Sequence, residues 1–188
     1  MAIGDAVATS IRLLCGVSLK ALPFEPTHAP RIFYANHVSN LDFPIIWSVL
    51  PRPVRLRTRP VAALDYWTKS STRRFLASTV FRAVLVDRSG AVPPEQKTRV
   101  IADALAGGTS IIIFPEGSRS EDGALRPFKS GIYHLTREFP EVELVPVLLE
   151  NIGRILPKGE RLPVPLLTTV TFGMPFRREE GEHKDEFL

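Results

Sequence analysis

Apolar residues in this chain come in two patterns that take turns along the sequence. Short runs rich in apolar and β-branched residues at 31–35, 83–86, 110–114, 144–149 and 166–172 predict strands, and 110–114 is uncharged enough to be fully buried. Residues 54–58 predict a further strand, on which Arg55, Arg57 and Arg59 alternate and so share one side. Between these runs the apolar positions take helical spacing: from Ser39 through Ile45, Ile46, Trp47 and Leu50, over 64–80, over 94–105 and over 129–139. Strand and helix alternate without internal repeats. The pattern predicts an α/β fold with a largely parallel central sheet of about six to seven strands flanked by helices.

The N-terminal part, 1–22, predicts an amphipathic helix, clearest over 6–22. Asp5, Thr9, Arg12, Gly16 and Lys20 fall in one narrow sector, and Ile3, Val7, Ile11, Leu13, Leu14, Val17 and Leu22 occupy the rest. Such a helix either packs on the domain or lies in a membrane interface, and one bent helix can do both. Arg12 and Lys20 interrupt it well short of the ~20 apolar residues of a transmembrane span. No secretory signal is evident. Farther on, Ser39 is expected as an N-cap with Asp42 at the third helical position, in a capping-box-like arrangement. Residues 1–176 read as a single domain, and 177–188 as a charged, frayed tail.

At 188 residues the chain is long enough for one substantial core. Its 17 prolines fall mostly between the periodic segments, as many short connections require. The net charge of +4 favours anionic partners. The charge is modest and no basic–aromatic module is present, which argues against nucleic acid. The single cysteine, Cys15, excludes an intrachain disulfide framework and a thiolate-rich metal site. No His or Cys set has metal-ligand spacing, so no metal is expected.

His37 and Asp42 carry the clearest candidate chemistry. Imidazole is suited to taking a proton from a hydroxyl near neutral pH, and a carboxylate beside it can fix the tautomer and stabilise the imidazolium. Positions five apart in a regular helix diverge by about 140°, so the two meet only if His37 lies in the turn before the helix. The alternative is that Asp42 merely caps the helix. The run Phe114-Pro115-Glu116-Gly117-Ser118-Arg119 ends a buried strand in a tight turn, with Gly117 free to take a positive φ. A charged pair such as Glu116 and Arg119 is costly there unless used or paired, and Arg119 is suited to gripping a phosphate. Arg88, also after a strand, is open to two readings: a salt bridge with Asp87 or Glu116, or phosphate binding. In parallel sheets ligands sit beyond the carboxyl ends of strands, so His37, Arg88 and Glu116 are expected to converge on one edge.

Taken together these segments resemble the glycerophospholipid acyltransferase family, which includes the lysophosphatidate acyltransferases. Asn36-His37…Asp42 matches the family's first block, Val84–Arg88 its second, and Phe114–Ser120 its third, with Ser118 for the usual threonine. Pro127–Gly131, Val145-Pro146-Val147 and Phe172–Pro175 are similar as well. Arg82-Ala83 stands where many relatives have a glycine.

The resemblance implies transfer of a fatty acyl group from an acyl thioester, either acyl-CoA or acyl carrier protein, to the hydroxyl of a lysophospholipid acceptor. 1-Acylglycerol-3-phosphate is the expected acceptor, in phospholipid biosynthesis. His37 would be the general base and Asp42 its orienting carboxylate. Arg88, Glu116, Gly117 and Arg119 would form the acceptor site, and Pro146 would border the acyl donor. No cofactor is implied. The enzyme would work at a membrane surface, on the cytoplasmic face, as a peripheral or monotopic protein. Alternatives are another lipid acceptor (a different lysophospholipid or an acylated amino-acid lipid), a hydrolase using the same base, or a non-catalytic anionic-lipid-binding domain.

Overall fold

The computed structural model describes residues 2–25, 29–120, 123–152 and 168–188. Its centre is a seven-stranded sheet. In chain order the strands are β1 (Val17–Ala21), β2 (Arg31–Ala35), β3 (Thr58–Ala63), β4 (Val84–Val86), β5 (Ser110–Ile113), β6 (Glu143–Glu150) and β7 (Thr168–Phe172). In space they run β1-β7-β6-β2-β5-β3-β4. Every neighbouring pair is parallel except β6–β7.

The middle strands are apolar without alternation because helices cover both faces. Ile32 pairs with Ile111 on one side and Leu144 on the other. All three are fully buried, as are Phe33, Ile112 and Val145. Burying such a side chain is worth about 1.5–3 kcal/mol, so this centre anchors the sheet. One face packs Phe24, Phe33, Phe43, Trp47, Phe81 and Phe172. The other packs Ile32, Ile101, Leu105, Ile111, Leu135 and Leu144.

The first face is covered by α1 (Ala2–Leu14) and α2 (Asp42–Val49), the second by α6 (Pro94–Ala106) and α7 (Gly131–Glu138). Pro94 opens α6, where its missing N–H costs nothing. Gly108, at φ 73°, turns the chain toward β5. The short helices α3 (Arg52–Leu56), α4 (Leu64–Trp67) and α5 (Ser71–Phe75) fill the connections around β3, and α8 (Lys184–Phe187) closes the chain.

Several sequence expectations are corrected. The N-terminal helix stops at Leu14 rather than reaching residue 22. Gly16 takes a left-handed φ of 53°, and Val17–Ala21 becomes the edge strand β1 beside β7. The strand expected at 54–58 is the helix α3. Pro53 is accommodated in its first turn, and Thr58 Oγ1 donates to the Val54 carbonyl at its end. The three arginines therefore do not share a side. Arg55 turns inward to Asp5 of α1 and lies 5.3 Å over the Trp47 ring, while Arg57 is exposed and Arg59 half-buried on β3.

The continuous helix expected over 64–80 is broken into α4, α5 and a π-helical segment, Leu76–Val80. Ser70 interrupts it by accepting the Arg73 amide as an N-cap. The tail is not frayed throughout: Phe187 packs 5.8 Å from Tyr133. Of the strand expected at 166–172, the part before Thr168 lies outside the described residues.

Candidate active site

Parallel strands bring their carboxyl ends to one edge, and a cleft of about 500 Å³ opens there. His37 follows β2, Phe114–Arg119 follows β5, Ala63 ends β3 and Arg88 follows β4. The convergence expected from the sequence is thus present, although each residue takes a different part in it.

His37 sits in the loop before α2. Asp42 is the first residue of that helix rather than the third, and its carboxylate reaches back over the loop. One oxygen, Oδ2, accepts from the Val38 amide at 2.7 Å and the Ser39 amide at 2.9 Å. Oδ1 accepts from Ser39 at 3.0 Å. These bonds replace the expected capping box. The Ser39 hydroxyl instead accepts from Leu41 at 3.2 Å, and the helix boundary at Leu41 has no side-chain cap.

The same Oδ2 lies 2.6 Å from His37 Nδ1. An ionised carboxylate only accepts, so Nδ1 is the protonated nitrogen, and Nε2 keeps its lone pair for the cleft. Asp42 has no exposed surface. Burial pushes its carboxyl above the ordinary range, against the lowering effect of His37 and the two amides.

The third motif holds His37 from the other side. Glu116 Oε1 accepts the His37 amide at 2.8 Å, and the Ser120 amide donates to the His37 carbonyl at 2.7 Å. Phe114 stacks on the imidazole at 4.3 Å between centroids, with 18° between planes. Glu116 is buried, and its second oxygen accepts from the Arg126 amide at 3.2 Å. It therefore shapes the site from beneath and does not line the cleft. Glu116→Gln should place an amide N–H against one of two backbone donors. The expected cost is roughly 1–3 kcal/mol of stability, read as a lowered midpoint in denaturant unfolding. An unchanged midpoint would remove this bracing role.

Gly117 takes φ 72°, and an added Cβ would lie 2.5–2.9 Å from Lys129 Nζ, Cε and Cδ. Glycine thus lets the lysine chain lie across the turn, where Lys129 N donates to the Pro115 carbonyl at 2.9 Å. Arg119 and Lys129 both line the cleft and have no acidic partner among the described residues. Arg88 lines it too, but pairs with neither Asp87 nor Glu116. Its guanidinium grips Asp65 at 3.0–3.2 Å and holds that carboxyl below its usual range. Pro146 stands apart, in a second apolar hollow with Tyr34, Asn36 and Phe128.

Sequence reasoning did not place Lys97, Tyr66 or Trp67 in the site. Lys97 lines the cleft one helical turn before Ile101, which lines it as well. That i, i+4 pairing on α6 was the available signal. The cleft is otherwise walled by Phe43, Val61, Val86, Ile113 and Ile132, and no acidic residue lines it among the described residues. The arrangement offers a base with a fixed tautomer, an apolar enclosure and several cations. It can deprotonate a hydroxyl on an amphiphile that carries a negative group.

Comparison with known proteins places the fold and the family. A crystal structure of the 1-acyl-sn-glycerophosphate (LPA) acyltransferase PlsC from Thermotoga maritima superposes with a TM-score of 0.76 at 21% identity, covering 98% of this chain and 74% of that one. The 1-acyl-sn-glycerol-3-phosphate acyltransferase of Limnanthes douglasii is 27% identical over 182 residues, 94% of this chain and 61% of the relative. The alpha form from Mus musculus is 29% identical over 140 residues, 73% of this chain and 46% of the relative. The chain therefore spans about half to three fifths of the length of these two curated relatives. The model of the Acyltransferase family matches residues 22–150, which takes in β2 to β6, the His37–Asp42 pair and the turn that braces it, and the chain belongs to that family.

Proposed function

We propose that the protein transfers a fatty acyl group from an acyl thioester to the free hydroxyl of a lysophospholipid, with 1-acylglycerol-3-phosphate as the acceptor. One observation carries this reading: a buried carboxylate orients an imidazole toward an apolar cleft lined by cations and, among the described residues, by no acid. The names of the relatives support the same acceptor. Nε2 of His37 takes the hydroxyl proton as the oxygen attacks the thioester carbonyl. The tetrahedral intermediate collapses with cleavage of the C–S bond, and the imidazolium returns its proton to the departing thiolate. No acyl-enzyme is needed: among the described residues the side-chain hydrogen bond of His37 runs to Asp42, and Cys15 is a buried free thiol.

Val38 and Ser39 give their amides to Asp42, so the oxyanion that forms draws its stabilisation from elsewhere in the cleft. Arg119 and Lys129, unpaired among the described residues, receive the acceptor phosphate. Arg88 contributes from its pair with Asp65. The donor is acyl-CoA or acyl carrier protein, whose negative charges suit a chain of net charge +4. No helix among the described residues is long and apolar enough to cross a membrane. Peripheral attachment at the cytoplasmic face is the mode we propose, through α1. That helix buries Ala8 against the domain and leaves Ile3, Leu13 and Leu14 exposed.

The test offers labelled acyl-CoA with lysophosphatidate, lysophosphatidylcholine and monoacylglycerol in turn. Lysophosphatidate should be preferred. Arg119→Ala should raise its KM about tenfold or more while leaving the donor KM in place, as expected for loss of a charged hydrogen bond. A donor-only effect would contradict the phosphate role, and release of free fatty acid without acceptor would favour a hydrolase.

A further inference from the structure

β3 and β4 run side by side with Ala63 opposite Val86. Two residues beyond that pair the chain carries Asp65 at the exit of one strand and Arg88 at the exit of the other. The register therefore sets an acid beside a base at the carboxyl edge of the sheet, where Arg88 lines the cleft. The neighbouring acids are engaged elsewhere. Asp87 accepts the Ser89 amide at 2.7 Å, and Glu116 accepts the amides of His37 and Arg126. Among the described residues, the Arg88 guanidinium bonds to Asp65 alone.

The contact uses one edge of the guanidinium. Nε donates to Oδ1 at 3.2 Å, and Nη2 donates to Oδ1 at 3.1 Å and Oδ2 at 3.0 Å. No hydrogen bond among the described residues uses Nη1. A guanidinium holds its five N–H donors in a flat fork, so the edge made by Nη1 and the outer N–H of Nη2 is left for a second anion. A phosphate can take that edge with two bonds while the carboxylate keeps the other. Asp65 itself is firmly based. The Leu64 carbonyl accepts both the amide and the hydroxyl of Thr68, which closes α4. Tyr66 lies 4.2 Å beneath the Arg73 guanidinium, and Trp67 packs 5.1 Å from Phe43. Both rings line the cleft, so the backbone that carries Asp65 is fixed to its wall. The pair adds little to the fold. Arg88 and Asp65 are 53% and 55% exposed, and an ion pair so well hydrated contributes little stability.

We propose that Asp65 is a positioning residue for the acceptor phosphate: it holds Arg88 by one edge so that the opposite edge meets the phosphate received by Arg119 and Lys129. The inference rests on the acyl-transfer reading for the identity of that phosphate. Without Asp65 the arginine keeps its charge but moves freely about its side-chain bonds, and each binding event must order it again. Asp65 does not line the cleft, so it acts on binding and leaves the chemical step to His37 and Asp42. A carboxylate that merely competed with the phosphate would have the opposite effect, because its removal would tighten binding.

The experiment is a double-mutant cycle on the full chain: wild type, D65N, R88A and D65N/R88A. It is read by calorimetric binding of a water-soluble short-chain lysophosphatidate without donor, and by steady-state kinetics with acyl-CoA. D65N should bind the acceptor about five- to tenfold more weakly and raise its KM by the same factor. Its kcat, donor KM and unfolding midpoint should stay close to wild type. D65E, which restores the charge, should recover part of the loss. In the R88A background D65N should change nothing further, because its effect passes through the guanidinium. Unchanged or tighter acceptor binding in D65N, a loss confined to kcat, no recovery in D65E, or an equal further loss in D65N/R88A would each overturn the proposal. A protein that shows the D65N binding loss but acylates nothing would keep this inference and lose the acyl-transfer reading. A wild type that binds no lysophosphatidate would end both.

Discussion

His37→Ala is expected to lower turnover by a factor on the order of 10²–10⁴, the usual contribution of a positioned general base, with the fold retained. The side chain bonds to Asp42, stacks on Phe114 and lines the cleft. Its backbone bonds to Glu116 and Ser120 survive truncation, because they use the main-chain amide and carbonyl. The circular dichroism spectrum should therefore stay native while acylation of lysophosphatidate collapses. Wild-type turnover in a correctly folded variant would end the assignment of His37 as base.

Asp42→Asn is expected to cost as much turnover, on the order of 10²–10⁴, by a different route. The carboxylate is fully buried and accepts from three donors: His37 Nδ1 and the Val38 and Ser39 amides. An asparagine has one oxygen for them, and its NH₂ meets a donor whichever way it turns. Pointing the oxygen at the amides sets NH₂ against His37 Nδ1. That favours the tautomer with the proton on Nε2, which can no longer accept from the hydroxyl. Pointing it at His37 leaves backbone N–H groups buried and unpaired, at about 1–3 kcal/mol each. Turnover should therefore fall with little change in acceptor KM, and unfolding should occur at lower denaturant. A variant that lost only KM would show that Asp42 contacts substrate and does not orient the base.

The sheet was legible because its middle strands are apolar on both faces. Arg31–Ala35 emerged with the bounds expected for it. The site was legible where chemistry and topology coincide, at His37, Arg88 and the turn after β5. What escaped was decided by tertiary contacts. Nothing local distinguishes the Arg55 of a helix from that of an edge strand; Asp5, fifty residues earlier, and the Trp47 ring determine its inward course. Gly16 alone could have ended the first helix, but the apolar residues on either side of it fit a continued helical period. Glu116 read as a substrate contact because a carboxylate after a buried strand has two uses. Only the neighbouring amides of His37 and Arg126 separate them.

The clamp between Glu116 and His37 joins positions 79 apart in sequence. The imidazole is presented correctly only once β5 has docked beside β2, a non-local pairing that forms late in a nascent chain. A ribosome that has released only the first hundred residues has made the base but not its cradle. A chain cut before β5 therefore carries the imidazole without the carboxylate that holds its backbone amide.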